Sequence, residues 1–129
     1  MSKNNQPSLT QEQIDSVVAL FSNGQFQDVI DTIKVLNESY PNVPFLFNII
    51  GASYKALGQL SGAIKMFENA VAIKPDYSEA HKNLGISLKE LGKFDAAVIS
   101  FKKSITLEPN NVDTHYNLAV TLKAINDLD

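Results

Sequence analysis

A 34-residue repeat is the feature of this sequence that most restricts its fold. Gly58 and Gly92 are 34 residues apart, and the same interval separates Pro75 from Pro109. Three further pairs keep this interval, namely Gly51 and Gly85, Ala63 and Ala97, and Phe67 and Phe101. Because small, aromatic and helix-breaking residues all recur at one period, the chain is predicted to build the same structural unit several times.

The period divides nearly the whole chain into units. These units are a divergent one at 10–43, two well-matched ones at 44–77 and 78–111, and an incomplete one at 112–129. The last unit has only its first helix. We therefore predict one domain over residues 9–129, preceded by a disordered tail at 1–8.

Each unit is predicted to form two amphipathic helices. In the third unit Leu84, Leu88 and Leu91 recur at three- and four-residue spacing, as residues on one face of a helix do. The pattern stops at Gly92, since glycine accepts a left-handed turn without steric cost. Pro109 then ends the second helix, because proline lacks an amide hydrogen. An all-α fold follows from this alternation.

Two local patterns refine the prediction. Thr10 and Gln13 have the spacing of a capping box, which marks the start of the first helix. Gly51 and Gly85 lie in the middle of predicted helices, where a larger side chain would keep paired helices apart. Close helix crossings are therefore expected at both glycines.

Composition excludes several classes of function. The chain has 129 residues and no cysteine, so disulfides and thiolate metal sites are excluded. Its formal net charge is −3 and all of its 11 cations are lysine, which argues against a nucleic-acid partner. The first residues, MSKNNQPSLTQEQ, lack the apolar core of a signal peptide, and no segment has the composition of a membrane span. We expect a cytoplasmic protein that does not bind membranes.

The repeated unit resembles the tetratricopeptide repeat. The resemblance rests on N-L-G at 83–85, L-G-K-F-D-A-A at 91–97 and E-P-N at 108–110. It implies a right-handed α-solenoid of about three and a half units, with seven helices, whose first helices line a concave binding groove. Within this family, HKNLG at 81–85 and HYNLA at 115–119 are most similar to the repeats of O-linked N-acetylglucosamine transferase and its bacterial relatives.

Three lysines form one candidate row along the groove. Lys55, Lys89 and Lys123 keep the 34-residue interval, and the last of them follows Leu122, which is predicted to be buried. Such a row favours an extended, acidic peptide as the ligand. Alternatively, the three cations offset the macrodipole at the C-terminal ends of their helices.

Asparagines form the second candidate row. The resemblance implies that Asn83 and Asn117 face the groove, where a side-chain amide donates to and accepts from a peptide backbone. Asn48 is one residue out of register and Ile49 holds the matching place, so the row is expected to be interrupted in the second unit. The candidate groove residues are Asn48, Lys55, Lys82, Asn83, Lys89, Tyr116, Asn117 and Lys123, with Phe45, Glu79, Ile86, Asp113 and Val120 as further positions.

One known use of the family is not expected here. Members that clamp the C-terminal carboxylate of chaperone tails use lysine and asparagine in the first repeat, asparagine in the second, and lysine and arginine in the third. The corresponding places in this chain hold Ile14, Val18, Ile49, Glu79 and Asn83. An alignment that starts at the second unit supplies Asn48 and Asn83 but again lacks the cationic pair. A carboxylate clamp is therefore not predicted.

The two histidines are predicted to be structural. His81 and His115 occupy the place that Phe47 fills in the second unit, where the family favours an aromatic side chain. A metal site would need further ligands from neighbouring repeats, and no cysteine or acidic cluster supplies them. No phosphate-binding loop or nucleophile motif is present, so we expect neither a cofactor nor catalysis.

Three functions remain open from the sequence. The first is a non-catalytic module that holds a peptide or a partner helix in its groove. The second is the N-terminal docking region of a larger enzyme, such as a glycosyltransferase, and the third is a scaffold that assembles end to end. The last helix keeps Leu118, Leu122 and Ile125, so we also expect the natural protein to continue and this end to pair with another copy.

Overall fold

A computed structural model describes residues 8–128, and these residues form seven α-helices and no strand. The helices are α1 (Gln11–Ser22), α2 (Phe26–Ser39), α3 (Pro44–Ala56), α4 (Leu60–Ile73), α5 (Ser78–Glu90), α6 (Phe94–Leu107) and α7 (Val112–Asn126). The predicted all-α fold is confirmed. Residues 1–7, which make up most of the tail predicted at 1–8, and Asp129 lie outside the described residues.

Consecutive helices pack against one another along the whole series. Each helix contacts the next one in the chain, and α5 also contacts α3 and α7. The first helices of the last three units, α3, α5 and α7, therefore lie side by side. This arrangement is the predicted solenoid of helix pairs.

Glycine makes the turn inside each complete unit. Gly24, Gly58 and Gly92 have φ angles of 74°, 78° and 85°, in the left-handed region. Among the described residues, no residue other than glycine has a positive φ. The 34-residue recurrence of glycine at this place is thus a requirement of the backbone.

The close helix crossings predicted at Gly51 and Gly85 are present. A Cβ atom added to Gly85 would lie 2.6 Å from the Phe101 ring, and one added to Gly51 would lie 2.6 Å from the Phe67 ring. The first unit places a larger residue, Val17, at the equivalent position in α1, and there the facing residue is the smaller Ile33. Glycine is thus paired with phenylalanine, and valine with isoleucine.

The start of α1 has the predicted capping box. The backbone N–H of Gln13 donates to Thr10 Oγ1 over 3.1 Å, and the backbone N–H of Thr10 donates to Gln13 Oε1 over 2.9 Å. Two amide groups that have no partner within the helix are satisfied in this way. The cap fixes where α1 begins.

The histidines do more than the predicted filling of space. The Nε2–H of His81 donates to the carbonyl oxygen of Pro75 over 2.8 Å, and that of His115 donates to the carbonyl oxygen of Pro109 over 2.7 Å. Each imidazole therefore ties the first turn of α5 or α7 to the proline that precedes it. The equivalent Phe47 of α3 has no group that makes such a bond.

The outer side of α7 is more exposed than the same side of α5. Leu88 in α5 is 8% exposed, whereas the equivalent Leu122 in α7 is 43% exposed. Ala119 is likewise exposed, whereas the equivalent Gly85 is buried. The expected burial of Leu122 is wrong, because α6 covers Leu88 and no described helix lies over the outer side of α7.

Candidate peptide-binding groove

A cleft of about 530 Å³ is lined by residues of the first helices α1, α3 and α5. Its apolar lining consists of Phe21 from α1 together with Phe45, Ile49, Ala52 and Ala56 from α3. The volume falls in the range of sites that bind small ligands or side chains. The cleft is therefore large enough to enclose part of a peptide.

Two alanines create this cleft. Ala52 and Ala56 lie on the groove side of α3, and the equivalent positions of α5 hold the larger Ile86 and Glu90. Where α5 fills the groove with side chains, α3 leaves a depression. The groove residues predicted from the sequence did not include Phe21, Ala52, Ala56 and Glu90. The difference in side-chain size between α3 and α5 at the two alanine positions was nevertheless visible in the sequence.

The polar lining of the cleft carries more negative than positive charge. It consists of Asn48, Lys55, Glu79, Asn83 and Glu90. Two glutamates and a single lysine thus face the same space. This balance does not favour the acidic peptide expected from the row of lysines.

Asn48 and Asn83 are brought together in the groove. The Nδ2 of Asn83 donates to Oδ1 of Asn48 over 3.0 Å, although the two residues belong to different repeat positions. The side chain of Asn48 also lies close enough to the phenol of Tyr77 to affect its pKa. The pKa of Tyr77 is raised, chiefly because its phenol is partly buried; the polar side chain of Asn48 lowers it and the charge of Glu79 raises it. Asn48 is therefore hydrogen-bonded to Asn83 although it is one residue out of register with the row of asparagines.

Asn117 is bound from both sides. Its Oδ1 accepts from Lys89 Nζ over 3.0 Å, and its Nδ2 donates to the carbonyl oxygen of Asp113 over 2.9 Å. The first of these bonds connects α5 to α7. Lys89 and Asn117 are thus close enough to act together on a ligand, but each already has a partner in the chain.

The three lysines of the predicted row lie in the last turns of α3, α5 and α7. In that place each offsets the negative end of a helix macrodipole. Lys123 also forms an ion pair with Asp127 over 3.1 Å. Only Lys55 of the three lines the cleft. The alternative interpretation of the row, as charges that stabilise helix ends, therefore has geometric support.

The two remaining candidates, Lys82 and Tyr116, lie outside the cleft. Lys82 Nζ is 3.2 Å from Glu79 Oε2, so Lys82 forms an ion pair with a cleft residue one helical turn away. Tyr116 is 67% exposed on α7. Within residues 8–128, no group of three or more histidine, aspartate or glutamate side chains is placed to hold a metal ion. In the same range, no helix combines the length and the apolar character needed to cross a membrane.

Three segments of the sequence match families of repeats. Residues 51–92 match one described as a TPR repeat, and residues 78–111 and 100–129 match two described as the tetratricopeptide repeat. Together these matches extend over residues 51–129, from within the second unit to the end of the fourth. No curated protein matches the chain by sequence.

Solved structures share the fold of this chain. The Sgt2 TPR domain from Aspergillus fumigatus superposes with a TM-score of 0.88 at 22% identity, covering 98% of this chain and 87% of that domain. The first TPR of Spaghetti (RPAP3), solved with the HSP90 peptide SRMEEVD, gives a TM-score of 0.87 at 22% identity, with coverage of 95% and 98%. The second TPR domain of human RPAP3, solved with the HSP70 peptide SGPTIEEVD, gives 0.80 at 21% identity, with coverage of 84% and 91%. At this level of identity the likeness concerns the fold.

Proposed function

Because the chain belongs to the tetratricopeptide repeat family, we propose that it is a non-catalytic interaction module whose groove holds an extended peptide of a partner protein. The observation that carries the proposal is the cleft between α1, α3 and α5, which combines an apolar floor with the paired amides of Asn48 and Asn83. An extended peptide needs both features, since its side chains bury apolar area while its backbone needs hydrogen-bond partners.

The paired amides are suited to a peptide backbone. Asn83 uses a hydrogen of its Nδ2 group on Asn48, and a carboxamide has a second hydrogen and an acceptor oxygen to offer. The bond also holds the side chain of Asn83 in one orientation. A fixed amide loses less conformational entropy on binding than a mobile one does.

The ligand is proposed to differ from the peptides in the neighbouring structures. SRMEEVD and SGPTIEEVD both end in acidic residues and a carboxylate. In this chain the three places expected for clamp cations hold Ile14, Glu79 and Asn83, none of which is positively charged, and Glu79 is negatively charged. A tail of that kind would meet a glutamate where a clamp presents a cation.

Amide chemical shifts test the proposal. A pool of random, end-blocked peptides is titrated into the ¹⁵N-labelled chain, and we expect shifts at Asn48, Ala52 and Asn83. The convex side supplies the control, since Lys65 and Ala72 of α4 are exposed and remote from the cleft lining. Shifts that appear only on α4 and α6, or no shifts at all, would contradict binding in the groove.

A second candidate function is self-association through the outer side of α7. Ala119 is the central residue of the 15-residue α7, and Ala119 and Leu122 are both exposed. Two copies related by a two-fold axis could cross with Ala119 of one copy against Ala119 of the other, since this small side chain allows the two helices to pack closely. Apolar area left in water costs about 25 cal/mol per Å², which favours this pairing.

Light scattering over a concentration series tests the association. We expect the mass to rise toward that of a dimer, and we expect Ala119→Lys to keep the chain monomeric. Lys103 is an exposed position on α6, so Lys103→Ala serves as a control that leaves the mass unchanged. A monomer at every concentration would refute the second function and leave the groove proposal intact.

A further inference from the structure

We infer that the cleft selects a peptide segment in which a bulky apolar side chain stands beside a lysine or arginine. The inference rests on the proposed function and specifies its ligand. It follows from the distribution of apolar and charged side chains across the three helices that line the cleft.

The side of the cleft formed by α1 and α3 is apolar. Phe21 and Phe45 are both half-buried there, and Ile49 forms a buried floor between them and the alanines. Aromatic side chains that remain partly exposed offer a ligand large apolar surfaces at low entropic cost. A leucine, isoleucine, methionine or phenylalanine side chain of the ligand suits this space.

The side formed by α5 is acidic. Glu79 lies in the first turn of α5 and Glu90 is its last residue, so an anionic group stands at each end of the helix facing the cleft. Glu79 is paired with Lys82, whereas Glu90 lies opposite the α3 side, where Lys55 is the cation of the lining. A ligand that crosses from α1 to α5 meets apolar surface first and carboxylates second.

Charge complementarity therefore determines the flanking residue. A basic side chain next to the apolar one reaches the α5 carboxylates, while an acidic one meets like charge. Burial of the apolar side chain supplies most of the affinity, because exposed ion pairs contribute little on their own. The ligand is thus expected to prefer, rather than strictly require, its basic residue.

A selection experiment tests the inference on the whole chain. A library of random peptides displayed on phage is enriched on the immobilised chain, and the best sequence is synthesised with blocked ends. Two further peptides are made from it, one with glutamate in place of the basic residue and one with alanine in place of the apolar residue. We expect the glutamate peptide to bind about two- to fivefold more weakly. We expect the alanine peptide to bind at least about tenfold more weakly.

Variants of the chain complete the test. Ala56→Phe fills the cleft and should weaken binding about tenfold, whereas Ala72→Phe, at an exposed position on α4, should not change it. Glu90→Lys should weaken binding of the basic peptide and strengthen binding of its glutamate derivative. For the unmodified chain, the difference in affinity between the basic peptide and its glutamate derivative should shrink as the salt concentration is raised.

The possible failures are distinguishable. Enrichment of acidic peptides that still shift the amides of the cleft would overturn the inference and leave the proposed function standing. The same holds if Ala56→Phe and Ala72→Phe bind the selected peptide equally well while Asn83→Ala weakens it. If no peptide is enriched, both the inference and the proposed function are overturned.

Discussion

Asn83 donates from Nδ2 to Oδ1 of Asn48 over 3.0 Å, and this bond joins α5 to α3 within the groove. The two side chains are half-buried, so neither is fully compensated by water when its partner is removed. The pair therefore contributes to the stability of the fold as well as to the groove surface.

Asn83→Ala is expected to lower the free energy of unfolding by about 1 kcal/mol, because Oδ1 of Asn48 loses its donor. Peptide binding should weaken in the same variant. Urea denaturation and calorimetry measure the two effects separately. Asn110→Ala, in an exposed turn, is the control and should leave both quantities unchanged. Weaker binding with unaltered stability would mean that the pair does not hold α3 and α5 together.

Gly85→Ala is expected to destabilise the protein by about 1–3 kcal/mol, since the added Cβ would stand 2.6 Å from the Phe101 ring. The first unit indicates the rescue: the Gly85→Ala/Phe101→Ile double variant has a smaller side chain opposite the new methyl group, as Ile33 is opposite Val17. Thermal melts of the single and double variants give the coupling energy. Additive effects would show that the two positions do not contact each other.

Gly62→Ala is the matched glycine variant with the opposite sign. A Cβ at Gly62 would lie 3.5 Å from the Tyr54 ring, an ordinary van der Waals distance, and Gly62 lies within α4. Alanine restricts the unfolded chain and favours the helix, so we expect a gain of about 0.5–1 kcal/mol. A loss of stability in the same denaturation assay would contradict the contact geometry at α4.

Leu88→Ala and Leu122→Ala compare one repeat position in two settings. Leu88 is 8% exposed, so its truncation is expected to cost about 2–5 kcal/mol. Leu122 is 43% exposed, and the same change there should cost less than about 1 kcal/mol in the monomer. Denaturation is measured at low protein concentration to avoid association. Equal losses would mean that the outer side of α7 is covered in solution.

Tyr77 gives the protein a dependence on alkaline pH. Burial raises the pKa of its phenol, so the folded state holds the proton more tightly than the unfolded chain does. The resulting stabilisation is complete below the unfolded pKa of about 10 and is lost as the pH rises from there through the raised folded pKa. Stability of Tyr77→Phe should therefore fall less steeply above about pH 10 than that of the natural chain. Identical slopes in urea titrations would refute the raised pKa.

The fold was predictable because its rules are local and repeated. A glycine that needs a positive φ, a proline that ends a helix and a capping box at Thr10 each depend on a few neighbouring residues. Gly51 and Gly85 also allowed the close helix crossings to be predicted, because a glycine in the middle of a helix indicates that another helix approaches closely there. Seven helices follow from these signals and the period.

The groove was less predictable, because its shape depends on differences between the units. The sequence comparison assumed that residues 34 apart lie beside each other in adjacent units. Asn83 instead bonds to Asn48, which is 35 residues away in the sequence. The cleft depends on the small size of Ala52 and Ala56, which is a departure from the repeat. Burial of Leu122 was mispredicted for a related reason, since a pattern on one helix does not show whether another helix covers it.

The pairing of glycine with phenylalanine has a consequence for how such an array changes by duplication and recombination. An exchange that joins α1 to α4 would set Val17 against Phe67, and one that joins α3 to α2 would leave a void between Gly51 and Ile33. Both products carry a packing defect that neither parent has. Breakpoints between units are therefore tolerated where breakpoints at Gly24 or Gly58 are not, and the smallest piece of this chain that can be inherited independently is the helix pair.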